Sequence, residues 1–268
     1  MLKRVRISLS LFPFTLLPFY FSPSTFISLV SPAPVHATNW NRYNVVFNSG
    51  IRNLNQGNYQ KALEFFSKAI DIYKRDPAAF YNRGIANEEL ENYKEAIEDY
   101  KKSLTMDGLM YTANTHNNIG FSYLQLEDFD NALKHLNKAI SIKSDDGSYY
   151  KNRGNVYLNQ EKWEKALKDY ETAKGKYLKS KENIDEYFYN DIGYIHFNLG
   201  SYQQAIDNYD KAIEINPDES IFYSDKGDAL YELGDEDIAC KNYIKASELG
   251  DKGTKNYLNS RDGKWCKK

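Results

Sequence analysis

Small and apolar residues recur along this chain with a period longer than a single helix or strand. Gly50, Gly84, Gly120, Gly154, Gly193 and Gly227 are each followed twelve residues later by an alanine: Ala62, Ala96, Ala132, Ala166, Ala205 and Ala239. The glycines are spaced 34, 36, 34, 39 and 34 residues apart. Counting each glycine as position 8, position 24 is Phe66, Tyr100, Leu136, Tyr170, Tyr209 and Tyr243, and position 27 is Ala69, Ser103, Ala139, Ala173, Ala212 and Ala246. Positions 20, 24 and 27 therefore stand at i, i+4 and i+7, one face of an α-helix. Positions 4, 8 and 11 make the matching stripe on a preceding helix. Turn signals separate the two at Gly57-Asn58, Glu91-Asn92, Glu127-Asp128, Gly200-Ser201 and Gly234-Asp235. Each unit thus predicts two short antiparallel helices, with glycine and alanine allowing the axes to approach and aromatics filling the space beside them. A period in this range marks stacked repeats, each burying its apolar face on the next.

The run of an aromatic, a small residue, then Ala, an aromatic and Ala, closed by Pro, stands here as Tyr189, Gly193, Ala205, Tyr209, Ala212 and Pro217. With NRG at 82–84 and 152–154 and KAIEINP at 211–217, this closely resembles the tetratricopeptide repeat (TPR) family. The resemblance covers about residues 43–250. It implies an all-α, right-handed α-solenoid of six helical hairpins, approximately 43–76, 77–110, 113–146, 147–180, 186–219 and 220–250. Residues 251–268 are expected to form a capping helix and tail, because the last repeat has no successor to cover its face. About five extra residues within Lys174–Asp185 produce the 39-residue gap and predict a longer second helix or an added loop there.

The chain before the repeats has a different composition. Lys3, Arg4 and Arg6 are followed by no further charge until Arg42, with an apolar, Ser/Pro-containing stretch from Ile7 to Val30 between them. Val35-His36-Ala37 then offers modest or small residues at a cleavage site. This layout predicts a signal peptide over residues 1–37, cleaved after Ala37, and export to a periplasm, lumen or extracellular space. The alternative is an uncleaved membrane anchor, against which Pro13, Pro18 and Pro23 count as helix interruptions. Residues 38–42 then form a short N-terminal segment.

In the family the resemblance points to, the first helices line a concave face through positions 2, 5, 6, 9, 12 and 13. Position 6 carries Asn48, Asn82, Asn118, Asn152, Asp191 and Asp225, a row of short polar side chains able to hold an extended backbone or simply to serve hairpin geometry. Beside it stand Phe47, Ile51, Tyr81, Ile85, Phe121 and Leu124 in the first three repeats. Lys151, Asn155, Asn190, Tyr194, Phe197, Asp228 and Tyr231 follow in the later ones. An exposed aromatic groove of this kind suits a protein or peptide partner, although the segment around Trp40 could cover it instead. Lys151 and Asn155 match part of the carboxylate clamp of TPR co-chaperones, but Asp191 and Asp225 would repel a carboxylate ligand. Arg83, Arg153 and Lys226, at position 7, are expected to form salt bridges within or between repeats.

Other chemistry is sparse. His116, His135 and His196 fall in different registers without metal-ligand spacing, and no phosphate loop, HExxH or nucleophile elbow is present. No cofactor, metal or catalytic residue is expected. Removing Lys3, Arg4 and Arg6 from the 35 basic side chains leaves 32 against 37 acidic, a formal charge of −5 with no basic field for nucleic acid. Cys240 takes a position where other repeats carry Leu63, Ile97, Leu133, Leu167 and Ile206, and Cys266 follows the expected cap. The two could form a disulfide stapling the cap down, or remain a buried thiol and a free tail thiol. The expectation is a non-catalytic interaction scaffold that holds a segment of a partner in its groove and aids an envelope or membrane complex. A self-associating structural module is the alternative, and an accessory subunit of an enzyme a more remote one.

Overall fold

The computed structural model describes residues 34–106, 112–260 and 263–267, so the expected signal segment lies, up to residue 33, outside the described residues. Among the described residues the chain forms thirteen α-helices and one short 3-10 helix, with no strand. In order these are α1 (Pro34–Asn55), α2 (Tyr59–Ile72), α3 (Pro77–Glu89), α4 (Tyr93–Met106), α5 (Thr112–Gln125), α6 (Phe129–Ile142), α7 (Gly147–Asn159), α8 (Trp163–Ser180), α9 (Glu186–Asn198), α10 (Tyr202–Ile215), α11 (Ser220–Leu233), α12 (Glu236–Glu248) and α13 (Lys252–Asn259), followed by the 3-10 helix Lys264–Lys267. None of these helices is long and apolar enough to cross a membrane.

The helices fall into two compact units divided between Ser144 and Asp145, α1–α6 in one and α7 onward in the other. In the first unit α1 pairs with α2, α3 with α4 and α5 with α6, each hairpin packing on the next. The second repeats this with α7 and α8, α9 and α10, and α11 and α12, and α13 lies on α12. The architecture is an all-α helical-repeat solenoid. Residues 38–42 lie within α1, which begins at Pro34.

The glycine and alanine stripe has a more specific role than close approach of two axes. Every repeat alanine is fully buried. A Cβ placed on Gly84 would lie 2.7 Å from the Tyr100 ring, on Gly193 2.6 Å from the Tyr209 ring and on Gly227 2.7 Å from the Tyr243 ring. Gly50 meets Phe66 and Gly120 meets Leu136 in the same way. The glycine makes room for the large side chain at position 24 of its own hairpin, and burying such a side chain is worth about 1.5–3 kcal/mol.

Backbone polarity is satisfied by recurring devices. The turn inside each hairpin places one residue in the left-handed region, Gly57, Glu91, Glu127, Glu161, Gly200 or Gly234. The following amide then donates back across the helix end, as Asn92 N–H does to the Asn87 carbonyl at 2.8 Å, which closes the α3 C-terminus in a Schellman pattern. Four of the first helices start on carboxylates: Asp76, Asp146, Asp185 and Glu219 accept from backbone N–H groups of α3, α7, α9 and α11. The extra residues of the fourth repeat both lengthen a helix and add a loop. Helix α8 has 18 residues where α10 has 14, and Lys181 ends it in a left-handed cap before Asp185. Tyr177 on the added turn packs over Gly147 and edge-on against Phe188, with ring centres 5.7 Å apart.

At the C-terminus α13 buries Leu258 beside Tyr243, with Asp251 capping its first turn. Cys240 and Cys266 are disulfide-bonded with Cα atoms 5.3 Å apart, a separation that lies within the range such bonds need. Trp265 tilts over Tyr231, with ring centres 5.2 Å apart, and donates its indole N–H to the Tyr257 hydroxyl.

Candidate functional site

In the unit formed by α1–α6, the residues expected on the first helices divide between surface and packing. Asn48 is exposed, and Phe47, Ile51, Tyr81, Asn82, Asn118 and Phe121 are half-buried. Ile85 is not on an open face: at 6% exposure it belongs to the core shared by Ala62, Phe66, Ala96 and Tyr100. The aromatics each lean on a neighbour. Phe47 meets Phe66 edge-on at 5.6 Å, Tyr81 tilts over Tyr100 at 5.7 Å, and Phe121 meets Tyr93 of the preceding hairpin at 6.5 Å. Trp40 does not reach Tyr81 or Phe121; its ring partners among the described residues are Tyr43 and Tyr73.

The expected amide row is largely engaged in holding the scaffold. Asn82 donates to the Ala78 carbonyl of its own helix at 2.8 Å. Asn118 reaches the hydroxyls of Tyr81 and Tyr100, each at 3.4 Å. In the second unit Asn152, Asn155 and Asp191 are buried rather than presented to a groove. Tyr170 explains two of these. Its hydroxyl, threaded past Gly154, bonds Asn155 of its own hairpin and, at 2.7 Å, Asp191 of the next. Lys151 pairs with Asp185 at 3.5 Å, and Tyr194 packs edge-on against Trp163 at 5.8 Å. The position-24 hydroxyls of Tyr100 and Tyr170 therefore tie each of their hairpins to the next. Periodicity could not reveal this, because it gives a residue's face and not the reach of a side chain from the other helix.

The position-7 cations form the expected bridges. Arg83 holds Asp99 through two bonds of 2.8 and 2.7 Å, and Arg153 holds Asp169 through two of 2.7 Å. Lys226 pairs with Asp210 of the preceding hairpin. The Asp169 carboxylate raises the Arg153 guanidinium above its usual range despite partial burial. Histidines in unrelated registers are brought together: His116 and His135 place their Nδ1 atoms 3.0 Å apart. Burial lowers both below the usual imidazole range, His135 to about 4, with His116 and nearby lysines adding to the effect. Both rings are accordingly neutral near pH 7. Among the described residues no group of three or more His, Cys, Asp or Glu side chains could hold a metal ion.

One residue of this face was missed by sequence reasoning. Glu88, near the end of α3, accepts hydrogen bonds from the Tyr100 hydroxyl at 3.2 Å and the Ser122 hydroxyl at 3.1 Å. Burial pushes its carboxyl up to about 8. A signal existed: position 12 is Leu54, Leu124, Leu158, Phe197 or Tyr231 in the other repeats. A charge in an otherwise apolar register marks a departure from packing.

Models of the tetratricopeptide repeat match residues 53–76, 76–145 and 118–177, and a TPR repeat model matches 193–234. Together these span more than half of the chain. It belongs to the TPR family. No protein of curated function matches the sequence. Among solved structures, this TPR chain is similar to Cut9 in the Cut9–Hcn1 hetero-tetramer of the APC/C, with a TM-score of 0.68 and 14% identity over 81% of this chain and 42% of that one. It is also similar to PilF of Pseudomonas aeruginosa, with a TM-score of 0.67 and 17% identity over 86% of this chain and 98% of that one. YrrB, a TPR protein with an unusual peptide-binding site, gives a TM-score of 0.59 and 19% identity over 72% of this chain and 97% of that one. At these identities the likeness shows the TPR fold, which is generally that of a protein-interaction scaffold.

Proposed function

We propose that this TPR protein is a non-catalytic interaction module that holds an extended or helical segment of a partner protein against α1, α3 and α5. The observation that carries the reading is the face itself. Half-buried Phe47, Tyr81 and Phe121 stand beside the polar side chains of Asn48, Asn82 and Asn118. Aromatic area with adjacent hydrogen-bonding groups is the composition of protein-binding hot spots. A peptide-binding site in YrrB, a structure of the same fold, is consistent with it. We further propose that the chain is exported and aids the assembly or maintenance of an envelope or membrane complex. The charge pattern of residues 1–37 supports export, as does the Cys240–Cys266 bond, since disulfides persist outside reducing compartments. The test is cross-linking followed by pull-down with wild type and with a Tyr81→Ala/Phe121→Ala double variant, after circular dichroism has confirmed that the variant is folded. Loss of a specific partner is expected; unchanged recovery would sink the reading.

A further inference from the structure

Glu88 occupies a place that packing alone would give to leucine. Leu54, Leu124 and Leu158 are buried at the same register position. Its Oε2 takes hydrogen bonds from two neutral hydroxyls, those of Tyr100 on α4 and Ser122 on α5. Among the described residues no cation answers it. Arg83 on its own helix is committed to Asp99, and Lys101 on α4 donates to the Tyr123 hydroxyl at 2.7 Å. Glu89, the charged group that acts on it, has the same sign, Tyr93 of α4 interacts with it electrostatically, and Asn118 of α5 lies beside the Tyr100 hydroxyl. A half-buried carboxylate without a counter-charge is partly desolvated at a cost, and here it stands in the last turn of α3, where the helix dipole adds further negative potential. A cation arriving from outside would meet both effects favourably. The rings of Tyr81 and Phe121 on the adjoining first helices offer apolar and π surface for the stem and head of such a group.

We propose that Glu88, Tyr100 and Ser122 form a subsite for a lysine or arginine side chain of the partner segment, with the Glu88 carboxylate as its ion-pair acceptor. This deepens the groove reading and rests on it. Because burial holds the free carboxyl near 8, binding at pH 7 has to expel its proton. A group of that pKa carries about 0.9 proton at pH 7, so association with a basic segment releases close to one.

The full chain, with its disulfide intact, is used to probe an array of randomised 12-residue peptides. Wild type is expected to select sequences with lysine or arginine enriched at one fixed place, and Glu88→Gln to lose that preference while still selecting the aromatic-binding features. Glu88→Leu, which restores the residue of three other repeats, serves as a second variant and should behave likewise. Calorimetry of a selected basic peptide in buffers of differing ionisation enthalpy is expected to show about one proton released by wild type and none by Glu88→Gln. Selection of neutral or acidic sequences, or an unchanged basic preference in both variants, overturns the subsite and leaves the groove standing. Failure of wild type to select any peptide overturns both.

Discussion

The same substitution, glycine to alanine, should have opposite effects at two sites of one hairpin. At Gly154 on α7 the new methyl would lie 2.8 and 3.0 Å from two ring atoms of Tyr170, where carbon contacts settle near about 3.5–4.0 Å. The ring cannot swing aside, because Tyr170 is fully buried and its hydroxyl is held by Asn155 and Asp191. Overpacking of this kind costs about 1–3 kcal/mol, and the better helix propensity of alanine returns up to about 1 kcal/mol. With the ring clamped, the cost falls in the upper part of that range, about 2–3 kcal/mol, and the net expectation for Gly154→Ala is a loss of about 1–2 kcal/mol. At Gly175 in α8 the added methyl meets nothing within 4 Å. Only propensity acts there, and Gly175→Ala should gain about 0.5–1 kcal/mol. Thermal unfolding followed by circular dichroism reads both, since 1 kcal/mol moves the midpoint of a chain of 150–250 residues by about 2–4 °C. A Gly154→Ala protein as stable as wild type would show that the position-24 ring is free to move, and the account of the glycine period would fall with it.

Reducing the Cys240–Cys266 bond, which joins residues 26 apart, should loosen the C-terminal cap. The chain-entropy model gives about 3–4 kcal/mol for a loop of that size. Hydrogen exchange of residues 252–267 with and without reductant measures it, and equal protection would contradict the staple. Glu161→Gly should stabilise by several tenths of a kcal/mol to about 1 kcal/mol, because Glu161 holds a left-handed conformation that glycine adopts without a Cβ clash; urea titration checks this. Arg153→Met should cost about 2–3 kcal/mol by leaving the buried Asp169 carboxylate without its two bonds. Two titrations act in opposite directions. His135 has a folded pKa lowered to about 4, so the stability it contributes when neutral is lost as pH falls from about 6.5 towards 4. Glu88 has a folded pKa raised to about 8, so its contribution is lost as pH rises from about 4.5 through 8. Unfolding midpoints across pH 4–9 should show the alkaline decline diminished in Glu88→Gln and the acid decline diminished in His135→Gln.

Much of the scaffold was legible from the repeat alone. The 34-residue beat fixes which residues share a helix face, and the expected turns at Gly57-Asn58, Glu91-Asn92, Glu127-Asp128, Gly200-Ser201 and Gly234-Asp235 each fall between the two helices of a hairpin. The pairing of Arg83, Arg153 and Lys226 with carboxylates was also readable from register. The candidate face was read less well. Ile85, Asn152, Asn155 and Asp191 share a register with open positions yet are buried, because side chains from second helices and neighbouring hairpins cover them. Likewise His116 and His135 meet although nineteen residues separate them and no motif links them.

The sequence by itself determined the all-α repeat, the order of the hairpins and their small-residue contact stripe, since these follow from periodicity and side-chain size. Only the tertiary structure decided what the stripe accommodates and where polar groups end: tyrosine rings over the glycines, tyrosine hydroxyls in the amide row, and a half-buried Glu88 without a cation. Those outcomes depend on which long side chain arrives from another helix, and a one-dimensional period carries no record of that distance.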